Sequence, residues 1–368
     1  MTLVREPAIQ AGVALAPRSS LRVGGPARWF TVAASIEDVG AAHTWSRARG
    51  VRLVVLGGGT NVVVADAGLD ALVVAVQPRG LAITDDGETL QVTAAAGEPW
   101  DAVVEAAVSR GGAGLECLSG IPGLTGGTPI QNVGAYGQDV SGVIEAVTAF
   151  DTATGATATL AAAECGFAYR TSRFKAADAG RFVVCDVCFR LRKGPPTTAY
   201  ADVAAALARA GVTQPSVADV RSVVLEIRRR KAMVLDPGDP DTRSVGSFFT
   251  NPVITLSDAE RVAARAGTAA PAFPQSGGHV KVPAAWLIER AGFARGTPDG
   301  AVGLSSKHTL AIVTRDGATA ADVIRFAGRV ARRVEALFGV RLRPEPVLLG
   351  FGGSDVEPDV EYLLGARN

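Results

Sequence analysis

The chain has 368 residues, of which 48% are hydrophobic and 20% are charged. At roughly 150 residues per domain, this length predicts two or three domains, and the hydrophobic content excludes disorder for most of the chain, because disorder needs low hydrophobicity and high net charge. Lys and Arg number 37 and Asp and Glu 36, so the net charge of +1 argues against a broad cationic surface for nucleic acid.

Targeting signals and cysteine usage favour a cytoplasmic protein. Residues 1–17 hold one Arg, one Glu and a short apolar run broken by Gly, a poor secretory signal. Four cysteines do not make a disulfide framework in a chain of this size. Cys185 and Cys188 match C-x-x-C but lie in an apolar strand without a second ligand pair, so they are interpreted as buried structural thiols. We therefore expect no metal, no membrane partner and no nucleic-acid partner.

Capping residues and periodicity predict the elements of the first half. Ser35 precedes two acidic residues and Gly50 follows Arg49, which predicts a helix over 36–49. A second helix begins after Pro99 and stops at Gly111. Apolar runs between turn residues predict strands over 51–56, 71–76, 143–150, 157–160 and 182–191.

The pattern changes after a linker at 193–196. Ser216 and Asp219 form a predicted capping box, and Thr319 with Asp322 opens a long helix that ends at Phe338. A short helix over 283–291 and strands over 309–314 and 340–349 complete the second half. Mixed helices and strands in both halves predict an α+β or α/β architecture, with a domain boundary near 195–215.

Two glycine-rich segments are candidate ligand sites. Gly57-Gly58-Gly59-Thr60-Asn61 follows a strand, where bare backbone N–H groups can approach a phosphate, although a tight turn is the alternative. Residues 111–142 carry ten glycines and few charges, and a loop this long in a compact domain is usually functional. Within it, Gln131, Asn132 and Tyr136 suit a large heteroaromatic cofactor with a pyrophosphate, whereas an irregular hairpin would not explain so many polar amides among apolar residues.

Three further segments offer single reactive side chains. Arg170 stands among aromatic and hydroxyl residues and can hold a carboxylate, although a solvated cationic turn is the alternative. Ser247, between Gly246 and two phenylalanines, needs a hydrogen-bond partner or a proton acceptor, although its segment also fits an ordinary strand. Glu345 lies between prolines, which restrain the backbone that aims its carboxylate; an acid on an edge strand is the alternative.

Taken together, these segments resemble the UDP-N-acetylenolpyruvoylglucosamine reductases (UDP-N-acetylmuramate dehydrogenases, the MurB family). Seven matching stretches run in order over nearly the whole chain: LRVGGPA at 21–27, LGGGTNVVVAD at 56–66, the loop 119–137, YRTSRFK at 169–175, GSFFTNP at 246–252, KVPAAWLIERAG at 281–292 and the segment 339–350. The resemblance implies an α+β protein. Residues 1–205 would form a two-lobed FAD-binding domain of the vanillyl-alcohol-oxidase type, divided near residue 75, and 206–368 a smaller α/β substrate-binding domain.

The same resemblance implies non-covalent FAD, NADPH as reductant and a set of cofactor residues. That set comprises Gly57, Gly58, Gly59, Thr60, Asn61, Ser119, Gly120, Ile121, Pro122, Gly123, Gly127, Gln131, Asn132, Gly134, Ala135, Tyr136 and Arg228. Substrate contacts are implied at Tyr169, Tyr200, Lys231, Asn251 and Lys281.

The implied reaction is the reduction of UDP-N-acetylglucosamine enolpyruvate to UDP-N-acetylmuramate for peptidoglycan synthesis. Hydride would travel from NADPH through FAD N5 to the vinyl carbon, and Ser247 would donate the proton to the adjacent carbon. Arg170 and Glu345 would stabilise the enolic intermediate. The expected state is a cytoplasmic monomer.

The chain also departs from the family pattern, and other functions remain as alternatives. Ser19-Ser20 replaces a frequent Asn-Thr, the run after Lys231 is longer, and His308 stands where some members carry an amide. The alternatives are another flavin oxidase of the same fold and a non-catalytic protein that binds flavin or a nucleotide sugar.

Overall fold

A computed structural model describes residues 6–365, which form two compact units. The first unit contains the described residues of Met1–Val13 together with Ala27–Gly59 and Asp70–Val234. The second contains Ala14–Pro26, Thr60–Leu69 and the described residues of Leu235–Asn368. These compact units do not test whether the FAD-binding and substrate-binding domains divide at residue 205, and that division stays a prediction.

The described residues form both helices and strands. The helices are α1 Ile36–Arg49, α2 Trp100–Val108, α3 Ala201–Arg209, α4 Val217–Arg230, α5 Leu256–Ala266, α6 Ala284–Arg290, α7 Ala320–Phe338 and α8 Glu357–Leu364. The strands are β1 Gln10–Ala14, β2 Pro26–Ala33, β3 Leu53–Leu56, β4 Val62–Val64, β5 Leu69–Val76, β6 Leu81–Asp85, β7 Thr89–Ala95, β8 Gly112–Ala113, β9 Gly134–Ala135, β10 Gln138–Asp139, β11 Ile144–Asp151, β12 Ala156–Ala161, β13 Phe182–Lys193, β14 Val253–Thr255, β15 Phe273–Pro274, β16 His279–Lys281, β17 Pro298–Asp299, β18 Val302–Leu304, β19 Ile312–Thr314 and β20 Val347–Leu349.

The first unit contains two larger sheets, the short hairpin β9-β10 and the helices α1 to α4. One sheet has the strand order β1-β2-β5-β3, with β3 parallel to β5, and the other has the antiparallel order β12-β11-β13-β7-β6, with β8 also on β13. Trp100 of α2 is fully buried, packs 5.6 Å from the ring of Phe189 and donates its indole N–H to the carbonyl of Leu118 at 3.2 Å. This contact ties α2 to the second glycine-rich segment. Helices α3 and α4 share a separate apolar cluster that includes Val203, Leu207, Val224 and Ile227.

The core of the second unit packs on the 19-residue helix α7. One face of α7 is buried, because apolar residues recur at helical spacing on it: Val323, Ile324, Ala327, Val330, Ala331 and Val334. Asp66 accepts hydrogen bonds from the backbone N–H groups of Ala320 and Ala321, at 2.8 and 2.9 Å, and so complements the positive end of this helix. Short sheets β14-β16-β15 and β17-β18-β19 and the parallel pair β4-β20 complete the unit.

Predicted helix starts are confirmed, whereas the predicted final strand is wrong over most of its length. Ser35 accepts a hydrogen bond from the N–H of Asp38 at 3.1 Å, and capping boxes open α4 and α7. Only Val347–Leu349 of the predicted strand 340–349 is regular. Pro344 and Pro346 lack N–H groups, so this stretch cannot sustain a ladder. The predicted strands 51–56 and 309–314 likewise begin later, at Leu53 and Ile312.

Two further findings concern the described residues only. None of their helices combines the length and apolar character needed to cross a bilayer. No group of three or more metal-ligating side chains comes together among them.

Cys185 is fully buried and Cys188 is partly buried, and each is a free thiol. The interpretation as buried structural thiols therefore holds for Cys185 and in part for Cys188.

Candidate active site

Two predicted cofactor segments meet through bare backbone in the first unit. Gly57, Gly58 and Gly59 follow β3, and a Cβ at position 58 would lie only 2.9 Å from the Cα of Gly123. Position 57 has open space around it. The segments approach this closely because neither carries a side chain at the contact. The structure therefore brings together two motifs that the sequence predicts separately.

This contact predicts that Gly58→Ala destabilises the apoprotein. The added methyl group meets backbone, which cannot move aside as a flexible side chain would, so we expect a loss of about 1–3 kcal/mol in the free energy of unfolding. Gly57→Ala is the matched control, because its methyl group meets nothing within 4 Å. Denaturant unfolding of both apoproteins measures the difference, and equal stabilities would contradict this packing.

The second segment is anchored by an ion pair that the sequence did not reveal. The N–H of Gly120 donates to Asp101 at 2.6 Å, and Arg221 donates to both oxygens of Asp101 at 2.7 and 2.9 Å. Burial opposes ionisation of Asp101, but the hydrogen bonds from Arg221 and Gly120 outweigh it and hold the pKa of this carboxyl below its ordinary value. Ser119 is fully buried and donates its hydroxyl to the carbonyl of Glu116 at 2.7 Å. The Ser119 hydroxyl and the Gly120 N–H thus hold the loop in shape.

Arg228 presents a buried polar atom to this loop. The residue is 8% exposed, and its Nη2 donates to the carbonyl of Met233 at 2.7 Å. Its Nε has no hydrogen-bond partner among the described residues and lies 3.6 Å from where a Cβ of Gly120 would stand. Burial lowers the pKa of Arg228, opposed by the nearby Tyr136 and Asp101. A buried donor without a partner is costly, so this atom fits a bound acceptor such as a flavin or phosphate oxygen.

Arg170 is fastened to the same glycine-rich loop. Its Nη1 donates to the carbonyl of Asn132 at 3.3 Å and its Nη2 to the carbonyl of Gly134. Ser172 adds a hydrogen bond from its hydroxyl to the carbonyl of Ile130 at 2.6 Å. Both Arg170 and Asn132 have positive φ, 56° and 47°, a conformation rare for residues with side chains. Such strain at two contacting residues is typical of functional sites.

Three of the chain's four tyrosines gather around Arg170 and Lys231. The rings of Tyr136 and Tyr200 pack edge to face at 5.3 Å. The Arg170 guanidinium lies 5.3 Å from the ring centre of Tyr169, and the Lys231 ammonium 5.8 Å from that of Tyr136. Tyr200 also interacts electrostatically with Tyr169 and Lys231, so these predicted substrate residues form one cationic and aromatic group in the first unit.

A buried carboxylate that the sequence analysis missed fixes the segment before Tyr200. Glu116 is fully buried, and its Oε1 accepts hydrogen bonds from the N–H of Thr197 and the Nε2 of Gln138, each at 2.8 Å. Gln138 also donates to the hydroxyl of Thr197 at 2.9 Å. The sequence signal for this carboxylate is a single acidic residue inside the apolar run GLECLSG. An acidic residue that is buried there needs hydrogen-bond partners.

The remaining predicted residues of the cofactor loop lie on irregular or very short elements of the first unit. None of them is deeply buried: Ile121, Pro122, Gly123, Gly127, Gln131 and Ala135. Ala135 pairs with Gln138 in the two-residue hairpin β9-β10. Their positions are compatible with a ligand contact, and that role stays a prediction.

In the second unit, Ser247 and Glu345 lie on adjacent segments. Phe249 and Pro344 form an isolated antiparallel bridge, and the N–H of Glu345 donates to the carbonyl of Phe248 at 2.8 Å. Both Ser247 and Glu345 are partly buried. The backbone pairing thus brings two of the three predicted catalytic residues together, within one unit.

Asn61 joins this pair from the end of the first glycine-rich turn. Its carbonyl accepts the N–H of Val347 at 3.0 Å, and its side-chain amide donates to the carbonyl of Glu345 at 3.5 Å. Thr60 and Asn61 belong to the second unit, whereas Gly57, Gly58 and Gly59 belong to the first. The predicted motif therefore contributes residues to both units.

The substrate residues predicted in the second unit lie around β14 and β16. Asn251 accepts the N–H of Ala284 at 2.9 Å and so caps α6. Lys281 of β16 pairs with Val253 of β14, and Val253 lies two residues after Asn251 in the chain. The structure brings Asn251 and Lys281 near each other, and their contact with substrate stays a prediction.

Comparisons with known proteins match two parts of the chain to family models. Residues 27–161 match the family model of an FAD binding domain, and residues 239–349 match that of the UDP-N-acetylenolpyruvoylglucosamine reductase C-terminal domain. A UDP-N-acetylenolpyruvoylglucosamine reductase from Thermobifida fusca is 48% identical over 347 residues, covering 92% of this chain and 97% of the relative. The reductase from Salinispora arenicola is 48% identical over 339 residues, with 90% and 93% covered.

A solved structure is similar in fold. The UDP-N-acetylenolpyruvylglucosamine reductase (MurB) from Thermus caldophilus superposes with a TM-score of 0.63 at 24% identity, covering 94% of this chain and 100% of that one. This likeness supports the fold, and the predicted α+β class with an FAD-binding domain is confirmed.

The FAD binding domain and its relatives define the class: the chain is an FAD-dependent oxidoreductase. Identity of 48% over nine-tenths of the sequence then settles the family. The chain belongs to the UDP-N-acetylenolpyruvoylglucosamine reductase family, whose role lies in peptidoglycan precursor synthesis.

Proposed function

We propose that this protein reduces UDP-N-acetylglucosamine enolpyruvate to UDP-N-acetylmuramate with NADPH as the reductant. One hydride adds to the terminal carbon of the enolpyruvyl double bond, and one proton adds to the carbon that bears the carboxylate. The carbon–carbon double bond becomes a single bond, and NADPH is oxidised to NADP⁺.

The pairing of the Ser247 and Glu345 segments is the observation that carries this proposal. A proton donor and a carboxylate on adjacent backbone, joined by the hydrogen bond from Glu345 to Phe248, suit proton delivery to a carbon. Ser247 would donate its hydroxyl proton to the carbon next to the carboxylate. Glu345 would stabilise or relay that proton. An oxidase or a binding protein would not require this pair.

Arg170 would offset the negative charge that builds on the substrate carboxylate during hydride addition. Its guanidinium is held by the carbonyls of Asn132 and Gly134, so its charge is preorganised before substrate arrives. Preorganised charge is a major source of rate enhancement, because it needs no reorientation during the reaction.

The residues of the first unit fit FAD. The glycine contact at Gly58 and Gly123 leaves backbone bare, and the Arg228 Nε offers an unmet donor. When bound, FAD supplies two-electron hydride chemistry. Non-covalent binding agrees with the state of Cys117, which lies inside the glycine-rich segment 111–142, because burial raises its pKa to about 12 and keeps it an unreactive thiol.

The anionic and aromatic parts of the substrate would meet the first unit at Tyr169, Tyr200 and Lys231. Lys231 supplies a positive charge beside two aromatic rings, which suits a diphosphate next to a ring or sugar face. Asn251 and Lys281 are the proposed substrate residues of the second unit. We further propose that the enzyme acts in the cytoplasm, as a monomer.

Substrate-dependent oxidation of NADPH tests this function. Holoenzyme should oxidise NADPH only when the enolpyruvyl sugar nucleotide is present, and mass spectrometry should show a product two hydrogens heavier. Rapid oxidation of NADPH by oxygen without the sugar nucleotide would favour a flavin oxidase. Tight binding of flavin or nucleotide sugar without any turnover would favour a binding protein.

A further inference from the structure

Lys231 already has an anionic partner within the chain. Its ammonium contacts Oδ2 of Asp202 at 2.8 Å, and the two side chains are 37% and 47% exposed. Asp202 lies in the first turn of α3, and Lys231 lies just beyond the end of α4. Because α3 and α4 pack on a shared apolar cluster, the two charges are held at a fixed spacing.

The surroundings of this pair are those of a ligand site. The Lys231 ammonium lies 5.8 Å from the centre of the Tyr136 ring, and Tyr136 packs against Tyr200. Burial raises the pKa of the Tyr200 phenol, and the negative charge of Asp202, two residues further along the chain, raises it further. The carboxylate therefore occupies the space beside Lys231 that an anionic ligand would need.

We propose that Asp202 is an internal competitor for Lys231, which the anionic diphosphate of the nucleotide substrate displaces. This inference rests on the proposed function, because that function supplies the diphosphate. Asp202 acts through Lys231 and contacts no reacting atom, so it sets the affinity for the anionic part of the substrate and leaves the chemical step unchanged. Competition also prevents Lys231 from binding small anions indiscriminately.

The test compares two aspartate variants. Asp202→Asn removes the competing charge, whereas Asp85→Asn removes the charge of a matched pair, in which Lys193 contacts Asp85 at 2.7 Å with 32% and 41% exposure. Calorimetry on each holoenzyme gives the Kd for UDP, and steady-state rates give KM and kcat for the enolpyruvyl substrate. Because exposed ion pairs are weak, we expect D202N to lower the UDP Kd and the KM about 2- to 5-fold with kcat unchanged. D85N should match the wild type.

Two further measurements separate competition from a structural role. The advantage of D202N should shrink at high salt, because screening weakens the contact between Lys231 and any anion. Asp202→Glu keeps the negative charge, so its Kd for UDP should be close to that of the wild type. A structural role would lower the melting temperature of D202N without this salt dependence.

The outcomes distinguish this inference from the function beneath it. If the wild type turns over substrate but D202N has a UDP Kd equal to or higher than that of the wild type, the competition is overturned and the proposed function stays intact. Wild-type turnover with a UDP Kd unaffected by Lys231→Met would also overturn it, because Lys231 would not be the anion site. Absence of turnover in the wild-type holoenzyme would overturn the proposed function and this inference with it.

Discussion

Replacing Ser247 with alanine is expected to slow reduction of the enolpyruvyl substrate about 10²- to 10⁴-fold, the usual contribution of a general acid. The variant should retain reduction of bound flavin by NADPH at the wild-type rate, because no proton from Ser247 enters that half-reaction. The hydroxyl lies on the segment that pairs with Glu345, so its loss removes the proposed donor and changes little else.

Stopped-flow absorbance of the flavin measures the two half-reactions separately. The control is Ser257→Ala, which removes an exposed hydroxyl in the same unit, near Thr255 at the start of α5. Ser257→Ala should behave as the wild type in both half-reactions. Reoxidation of S247A by substrate at the wild-type rate would show that Ser247 is not the proton donor.

Replacing Arg170 with lysine is expected to lower kcat about 10²- to 10³-fold, the loss typical of a removed preorganised donor. A lysine ammonium cannot reproduce the planar fork that donates to the carbonyls of Asn132 and Gly134. The charge would remain, but its position against the substrate carboxylate would not.

Arg173→Lys is the matched control in the same segment. Arg173 pairs with Asp178 at 2.7 Å, a contact outside the group of tyrosines and cations. R173K should keep its flavin content and kcat. A kcat for R170K within a few-fold of the wild type, with full flavin content, would remove Arg170 from the proposed chemistry.

The sequence predicts those parts of the fold that local chemistry determines. Ser35, Ser216 and Thr319 cap helices as expected, because an N-cap hydroxyl satisfies N–H groups only a few residues away. The predicted final strand is wrong over most of its length for a related reason, since Pro344 and Pro346 interrupt a run of mixed apolar and charged residues. Local rules therefore succeed where partners are close in sequence.

Long-range partners mark the limit of such predictions. The sequence predicts Gly58 and Arg170 as site residues. Nothing in it reveals that Gly58 contacts Gly123 or that Arg170 donates a hydrogen bond to the carbonyl of Asn132. Asp101 and Glu116 were missed because their importance comes from partners far along the chain, Arg221 and Thr197. Segments 14–26 and 60–69 belong to the second unit although segments of the first unit flank them in the chain, and this division is likewise a product of the tertiary fold.

Anaerobic flavin spectroscopy tests the central claim most directly. Purified holoenzyme, reduced with one equivalent of NADPH, should lose its yellow absorbance, and one equivalent of UDP-N-acetylglucosamine enolpyruvate should restore it with formation of UDP-N-acetylmuramate. Flavin that stays reduced after the enolpyruvyl substrate is added, and becomes oxidised only when oxygen is admitted, would contradict the account.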